Sequence, residues 1–366
     1  MKVVVLGTRG IPGIQGGVET HCEQLYPRLV ARGCDVTVIR RTCYVTGDNK
    51  IHEYKGVKLI DVYAPRRKSL EAIVHTTLAT FKAWQLKPDL VHIHAVGPSI
   101  CIPLAKILGM NVVATNHGPD YERLKWGRLA KAVIKLGERM QARYSNHIIA
   151  INNVIIDILK REYSRVKDVT VIYNGVNTPI KSTSTSYIEQ LGLSPGKYIM
   201  AMGRFVPEKR LDWLIKAFHR AHIDGYKLVI AGDSDHDDSY SLQLKQLANA
   251  TPDVVLTGFI KGEKLNQVLS NATLFVLPST HEGLPISLLE AMSYNLDVLV
   301  SDIPANRLEA LDSQDFFSVD NMDDLTMSLQ RKVDNPEINR HYDLSNYNWD
   351  NIAQQTLSVY EQVLRK

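Results

Sequence analysis

The sequence predicts an α/β fold of two doubly wound domains in series, each a parallel sheet covered by helices on both faces. Three observations carry that prediction. The chain has 366 residues, more than one compact core usually serves, so two domains of roughly 150–200 residues are expected. Two segments open alike, Lys2-Val3-Val4-Val5-Leu6-Gly7 and Lys197-Tyr198-Ile199-Met200-Ala201-Met202-Gly203, each an apolar strand running into a glycine turn. Short apolar runs then recur with helical patterns between them, the alternation of a sheet buried on both sides.

Taken in order, the first strand is residues 3–6, and a helix opens near Val18. Strand-length apolar runs follow at 35–39, 90–94, 112–115, 147–151 and 169–172. Asn174-Gly175 then turns the chain, and the polar stretch 181–186 has little to bury, which places a linker at 174–190. The second half repeats the scheme with strands at 197–203, 228–231, 254–256, 274–277 and 298–300, and helices at 210–220, 263–270 and 286–294. Trp349, Ile352, Ala353, Leu357, Val359, Tyr360 and Val363 fall at helical intervals, so the last element is an amphipathic helix. The expected division is a first domain over 1–175, a second over 190–345, and a helix over 346–366 that packs back toward the first. The carboxyl ends of the strands, where such sheets bind ligands, are expected to face a shared cleft.

Composition excludes several classes. Hydrophobic residues are 45%, charged residues 22%, and glycine with proline number 37, ordinary values for a folded globular chain. Apolar runs such as 3–6 and 298–300 fall far short of the roughly 20 residues that a membrane-spanning helix needs. The N-terminus reads as a β-strand, being too short in apolar residues for a secretory signal. Cys22, Cys34, Cys43 and Cys101 show no CxxC spacing and are read as reduced thiols of a cytoplasmic protein.

Charge is divided unevenly. Residues 1–175 hold 26 Lys and Arg against 14 Asp and Glu, a net of +12, and the rest of the chain holds 17 against 25, a net of −8. Much of the surplus lies in Arg66-Arg67-Lys68 and in Arg123, Lys125, Arg128, Lys131, Lys135, Arg139 and Arg143, whose three- and four-residue steps line one side of a helix. Such a side suits an anionic phospholipid surface, or it is a solvated face; nucleic acid is not an expected partner.

The glycine-rich segment after the first strand, Gly7-Thr8-Arg9-Gly10-Ile11-Pro12-Gly13, continues to Gly16-Gly17-Val18-Glu19-Thr20-His21. It has neither GxGxxG spacing nor a closing Gly-Lys-Ser/Thr, which disfavours a dehydrogenase or a P-loop ATPase. Gly16 and Gly17 before a helix let backbone amides approach an anion closely, with a tight turn as the plainer reading. In the second half, Gly203-Arg204-Phe205-Val206-Pro207-Glu208-Lys209-Arg210 puts cations where a helix start favours acids, and cations beside free amides suit a diphosphate. Then comes Pro278-Ser279-Thr280-His281-Glu282-Gly283-Leu284-Pro285-Ile286, running on to Glu290. Pro285 suits the first turn of a helix, which leaves Glu282 in a loop and Glu290 amid apolar neighbours, where an unpaired carboxylate is costly. Two such acids can accept hydrogen bonds from one polyhydroxylated ligand.

Gly203-Arg204 with Glu208-Lys209, and Glu282 and Glu290 in the frame E-G-L-P-I-S-L-L-E-A-M, resemble the retaining glycosyltransferases of family 4 over essentially the whole chain. The opening Gly7-Thr8-Arg9-Gly10-Ile11-Pro12, Gly16-Gly17-Val18-Glu19-Thr20 and the run Glu122-Arg123-Leu124-Lys125-Trp126-Gly127 resemble a bacterial branch with rhamnosyltransferase-like enzymes of polysaccharide assembly. The resemblance implies the GT-B fold of two facing Rossmann-like domains. It implies that Arg204 and Lys209 hold a donor diphosphate, that Glu290 bonds the nucleotide ribose, and that Glu282 orients the sugar hydroxyls. Gly203 and the backbone of Gly283, Leu284 and Pro285 would line the donor pocket, with Gly16 and Gly17 contributing from the first domain. His117, in Thr115-Asn116-His117-Gly118, matches a position beside the anomeric carbon, although an aspartate stands there in parts of the branch.

Cleaving a bond between a sugar and a diphosphate builds negative charge on the leaving phosphate, so fixed cations and amides lower the barrier without a metal or other cofactor. The resemblance further implies attack by the acceptor from the face that the diphosphate leaves. Two other metal readings are weaker. Asp233-Ser234-Asp235-His236-Asp237-Asp238 contains a DxD but lies in a variable turn, and is read as a solvated acidic loop. His92 and His94 share a strand face, but no third ligand motif lies near, and they are read as structural. The expected activity is transfer of a hexosyl or deoxyhexosyl group from a nucleotide-diphosphate sugar to a saccharide or lipid-linked saccharide, with the basic domain on an anionic inner leaflet. An epimerase on the same scaffold would convert donor without acceptor, and a non-catalytic sugar-nucleotide-binding subunit would show no turnover.

Overall fold

The structure, a computed structural model, describes residues 1–366 apart from 67–70, 120, 122–126, 236–237 and 339, with the backbone alone at 48. Arg67, Lys68, Arg123 and Lys125 of the basic runs, the segment from Glu122 to Trp126, and Asp237 therefore lie outside the described residues. The chain divides into two compact units, Met1–Gly175 with Tyr347–Lys366, and Val176–Asn346.

The first unit contains β1 (Lys2–Leu6), α1 (Gly17–Ala31), β2 (Asp35–Arg41), β3 (Glu53–Tyr54), β4 (Val57–Val62), α2 (Glu71–Gln85), β5 (Leu90–His94) and α3 (Ile102–Ile107). It continues with β6 (Val112–Asn116), α4 (Arg128–Tyr144), β7 (His147–Ala150), α5 (Asn153–Tyr163) and β8 (Val169–Val171). The second unit holds α6 (Ser186–Gln190), β9 (Tyr198–Met202), α7 (Leu211–Ala221), β10 (Lys227–Ala231), α8 (Ser239–Ala250), β11 (Val254–Gly258), α9 (Glu263–Asn271) and β12 (Leu274–Leu277). It ends with α10 (Ile286–Ser293), β13 (Asp297–Ser301), β14 (Phe316–Phe317) and α11 (Met322–Asp334), and α12 (Trp349–Leu364) returns to the first unit.

The first sheet has the order β3-β4-β2-β1-β5-β6-β7-β8, and β3 alone of its paired strands runs antiparallel to its neighbour. Alternation along β1 shows why both faces are dry. Val3 and Val5 join Leu25 and Leu29 of α1 and Ile352 and Tyr360 of α12, whereas Val4 and Leu6 join Ala79 and Ala83 of α2 and Ile102 of α3. The second sheet, β11-β10-β9-β12-β13-β14, is parallel throughout, and Tyr198 and Met200 on one face oppose Ile199 and Ala201 on the other in the same manner.

Among the parallel strands of each sheet the order reverses once, beside β1 in the first and beside β9 in the second. Such switch points are where open α/β sheets hold ligands, outside the carboxyl ends of the strands. β9 pairs with β12 at only two register positions, Leu274 with Ile199 and Phe275 with Met200, so the loops after these strands part at the switch point.

Two expectations are corrected. Residues 186–190 form α6, with Ile188 fully buried in the second unit, so the polar stretch does not run unstructured to 190. Pro285 occupies the N-cap of α10, one residue before the first turn.

α4 is strongly amphipathic in an unusual sense. Ile134, Gly137, Glu138, Gln141 and Ala142 face the protein. Its outer side carries Arg128, Lys135, Arg139 and Arg143, and next to them Leu129, Val133, Leu136 and Tyr144 are exposed. α2 likewise exposes Ile73, Leu78, Phe81 and Trp84, and both helices pack on the turn Pro98–Cys101. Among the described residues no helix is long and apolar enough to cross a membrane.

Candidate active site

The second unit concentrates the candidate residues at its switch point. β9 delivers Gly203 and Arg204, and a single 3-10 turn, Pro207–Lys209, precedes α7. Arg210 separates the two in a left-handed conformation at φ 50°, so Lys209 is not in the first turn of α7 and does not oppose its dipole. β12 delivers the loop 278–285. Thr280 N donates to Glu208 O at 2.9 Å, which ties the two loops together.

Across that tie, Lys209 Nζ donates to Glu282 Oε1 at 2.5 Å, with side chains 18% and 10% exposed. The lysine stem runs past Gly203, where a Cβ would lie in ordinary contact, 3.5 Å from Cδ and Cε of Lys209. Leu284 and Pro285 are buried behind the loop. Glu290 lies in α10, and burial raises its carboxyl from the ordinary value to about 7. Its side chain keeps partial exposure although the carboxyl is surrounded by protein, and among the described residues the carboxylate has no hydrogen-bond or ion-pair partner.

Arg204 has a carboxylate partner of its own. Its Nη1 donates to Asp235 Oδ2 at 3.1 Å, both side chains being mostly buried. The acidic loop is thus not simply solvated, as the sequence reading had it: Asp235 pairs with Arg204, Asp233 pairs with Lys245 at 2.9 Å, and Asp238 caps α8. These carboxylates serve cations and a helix start of their own unit. No spacing in the sequence signals the pairing of Arg204 with Asp235, which depends on β9 and β10 being neighbours.

In the first unit the glycine-rich segment is held by Glu19, whose Oε1 accepts from Arg9 N at 3.0 Å and Thr8 Oγ1 at 3.2 Å. Gly16 has φ 148°, a backbone conformation that favours glycine, and a Cβ there would require the Glu19 carboxylate to move, since Oε2 would lie 2.2 Å away. Nothing stands within 4 Å of a Cβ built on Gly17, and α1 opens there without a side-chain cap. The backbone amides of that first turn are left open to an anion.

His117 follows β6, and its Nε2 lies 3.0 Å from Nδ1 of His94. His92 is structural, as read: it is fully buried, with Nε2 2.7 Å from Thr115 Oγ1 and Nδ1 2.6 Å from Tyr360 Oη. His94 is not isolated in the same way. His21 of α1, quoted in the glycine-rich segment but given no role there, packs edge-on against both His94 and His117. The sequence hid this third histidine because it comes from a different strand-helix unit.

Residues 15–179 match the model described as Glycosyltransferase Family 4, and residues 184–349 match the model described as Glycosyl transferases group 1. An uncharacterized glycosyltransferase of Methanocaldococcus jannaschii is 26% identical over 99% of this chain and 98% of its own length. The UDP-Gal:alpha-D-GlcNAc-diphosphoundecaprenol alpha-1,3-galactosyltransferase of Escherichia coli is 28% identical over 69% of this chain and 68% of its own. Among solved structures, HepE of Anabaena in complex with UDP-glucose superposes with a TM-score of 0.75 at 18% identity, covering 100% of this chain and 98% of that one. With two doubly wound units of the GT-B class and family matches spanning both, the chain belongs to the family 4 glycosyltransferases.

Proposed function

We propose that the protein is a retaining glycosyltransferase that moves a hexosyl or deoxyhexosyl group from a nucleotide-diphosphate sugar to a saccharide or lipid-linked saccharide during assembly of a bacterial surface polysaccharide. The observation that carries the reading is the pairing of Lys209 with Glu282 over Gly203, at the strand reversal of the second unit. A cation for a diphosphate and a carboxylate for sugar hydroxyls stand side by side where such sheets bind ligands. The Anabaena structure contains UDP-glucose, and the Escherichia coli relative is a UDP-Gal transferase whose named acceptor is a diphosphoundecaprenol saccharide.

In this reading Lys209 leaves Glu282 for the donor diphosphate. Arg204, held by Asp235, joins it, and the amides of Gly283 and Leu284 add fixed dipoles. Charge developing on the leaving phosphate is met by groups already in place, each well-aimed donor being worth about 3 kcal/mol. Glu282, released from Lys209, takes sugar hydroxyls, and Glu290 accepts from the ribose. Gly16, Gly17 and His117 serve the reaction from the first unit. The acceptor hydroxyl attacks on the face that the phosphate leaves, and that phosphate takes its proton, so the anomeric configuration is retained without a metal. The basic and apolar outer side of α4 rests on an anionic leaflet, where a lipid-linked acceptor resides.

The test is a thermal-shift panel of nucleotide sugars on the full chain, followed by transfer assays with the stabilising donor. One donor raises the unfolding midpoint, product forms only with acceptor present, chelator leaves the rate unchanged, and the product keeps the donor's anomeric configuration. Donor conversion without acceptor identifies an epimerase. Donor binding with no turnover on a lipid-linked acceptor panel identifies a binding subunit.

A further inference from the structure

Three histidines from separate elements of the first unit, His21 of α1, His94 at the end of β5 and His117 after β6, each present a ring nitrogen within 4.8 Å of the others. His21 is 2% exposed, and its Nδ1 lies 2.9 Å from Asn174 Oδ1. An amide oxygen only accepts, so Nδ1 carries the proton and Nε2 is a bare lone pair. That Nε2 is buried without a hydrogen-bond partner. A lone pair so placed calls for a proton donor or a metal ion.

Ring geometry favours the metal. Three imidazoles on one tetrahedral ion, with metal–nitrogen bonds near 2.0 Å, have ring centres about 5 Å apart. The observed separations are 5.4 Å for His21 and His94, 5.1 Å for His21 and His117, and 5.3 Å for His94 and His117. The outer partners are also of the kind that orient metal-binding histidines, since Asn174 holds Nδ1 of His21 and the Tyr26 hydroxyl holds Nε2 of His94. His117 is partly exposed and gives the entry path.

We propose that His21, His94 and His117 form a binding site for one divalent transition-metal ion of the zinc class, with His21 Nε2 as a ligand and the fourth position left to water or an anionic group. Imidazole sets of this kind select zinc, cobalt, nickel or copper over magnesium and calcium. The ion clips α1 to the ends of β5 and β6. The ion and the role proposed above for His117 in transfer compete for one side chain, so the test reads binding and stability rather than activity.

Full-length protein stripped with chelator is titrated with Zn²⁺ by calorimetry and with Co²⁺ by visible absorption, and its unfolding midpoint is followed with and without Zn²⁺. Binding of one ion per chain, tetrahedral cobalt bands and a midpoint raised by Zn²⁺ are expected. His21→Gln and His117→Gln, each first shown folded by circular dichroism, weaken binding about 100-fold or more and abolish the zinc-dependent midpoint shift. His52→Gln, at an exposed histidine of the same unit, leaves both unchanged. Absence of one-to-one binding in the unsubstituted protein, or binding that persists in both His21→Gln and His117→Gln, overturns the proposal.

Discussion

Lys209 Nζ and Glu282 Oε1 stand 2.5 Å apart on the two loops that flank the strand reversal of the second unit. Each neutralises the other, so replacing one takes this counter-ion from a partly buried charge. Lys209→Met or Glu282→Gln should cost about 1–3 kcal/mol of stability. Each should also lower kcat/KM for transfer by about 10²–10³-fold if the pair serves donor and sugar as proposed. The double variant separates the two effects. Its stability returns toward the parent while its activity does not. Denaturant unfolding and initial rates on the three variants decide this, and a double variant that regains activity counts against the assignment.

Glu290 gives a pH-dependent prediction. Its folded carboxyl titrates near 7, above the ordinary value of 4.5. As pH rises from about 4.5 to 7 the unfolded chain loses this proton first, so this group's contribution to stability is full below that window and gone above it. Glu290→Gln removes the penalty. The variant should match the parent near pH 4.5 and exceed it by about 2 kcal/mol at pH 8, after allowing for the partial exposure of the side chain. It should also bind nucleotide sugar more weakly, because a hydroxyl of the ribose loses its anionic acceptor. Equal pH–stability curves for the two proteins would show that the carboxyl is not desolvated.

The legible part of this fold was the part in which local pattern and burial agree. β1, β5, β6, β9, β10, β12 and β13 are continuous apolar runs because helices cover both faces, and each announces itself without its neighbours. β4 does not, since its burial alternates and Lys58 and Asp61 face outward near the sheet edge. β14 has two residues, too few to carry a period. At the site, Lys209 and Glu282 lay in motifs with a recognisable frame, and the structure joins them. The partner of Arg204 and the third histidine beside His94 were not legible. Both depend on which strands are neighbours, and strand order is set by long-range packing that no local spacing encodes.

Gly175 is another such case. The sequence marks it as a turn glycine, yet its reason is steric: a Cβ would stand 2.6 Å from Cδ2 of Trp349 and 2.9 Å from Cδ1 of Ile352. The chain passes so close to the start of α12 that only hydrogen fits. Gly175→Ala should destabilise by about 1–3 kcal/mol through overpacking. Trp349→Leu added to it should cost less than it does in the parent, because the two share one space. Urea unfolding of the four proteins tests the coupling, and simple additivity would refute it.

Lys332 holds a buried cluster in the second unit, with Nζ 2.6 Å from Asp297 Oδ1 and 2.9 Å from Asp315 Oδ1. Arg340 also pairs with Asp315. Although burial opposes it, hydrogen bonds from Arg340 and Lys332 hold the Asp315 carboxyl below its usual range. Its stabilisation is therefore present above the ordinary carboxyl value near pH 4 and lost as pH falls below it. Lys332→Met, which removes one cation from two buried carboxylates that still face Arg340, should cost about 2–3 kcal/mol at pH 7. Between pH 4 and 2 the gap to the parent should narrow, and a gap that stays constant would remove the electrostatic explanation.

α4 tests the proposed membrane surface. Leu129 is 81% exposed beside Arg128, and Leu136 lies beside Lys135 and Arg139, so charge and apolar area share one side of the helix. Cations near an anionic surface each contribute about 1 kcal/mol, falling with salt, whereas inserted apolar groups resist salt. Lys135→Glu with Arg139→Glu should therefore lower flotation with phosphatidylglycerol vesicles by tenfold or more at low salt. Leu129→Ser with Leu136→Ser should remove chiefly the fraction that survives high salt. Both pairs are solvent-facing and should leave the unfolding midpoint within about 1 °C of the parent. If the parent floats equally with neutral and anionic vesicles, the basic side of α4 is an ordinary solvated face, and the charge asymmetry between the units needs another origin.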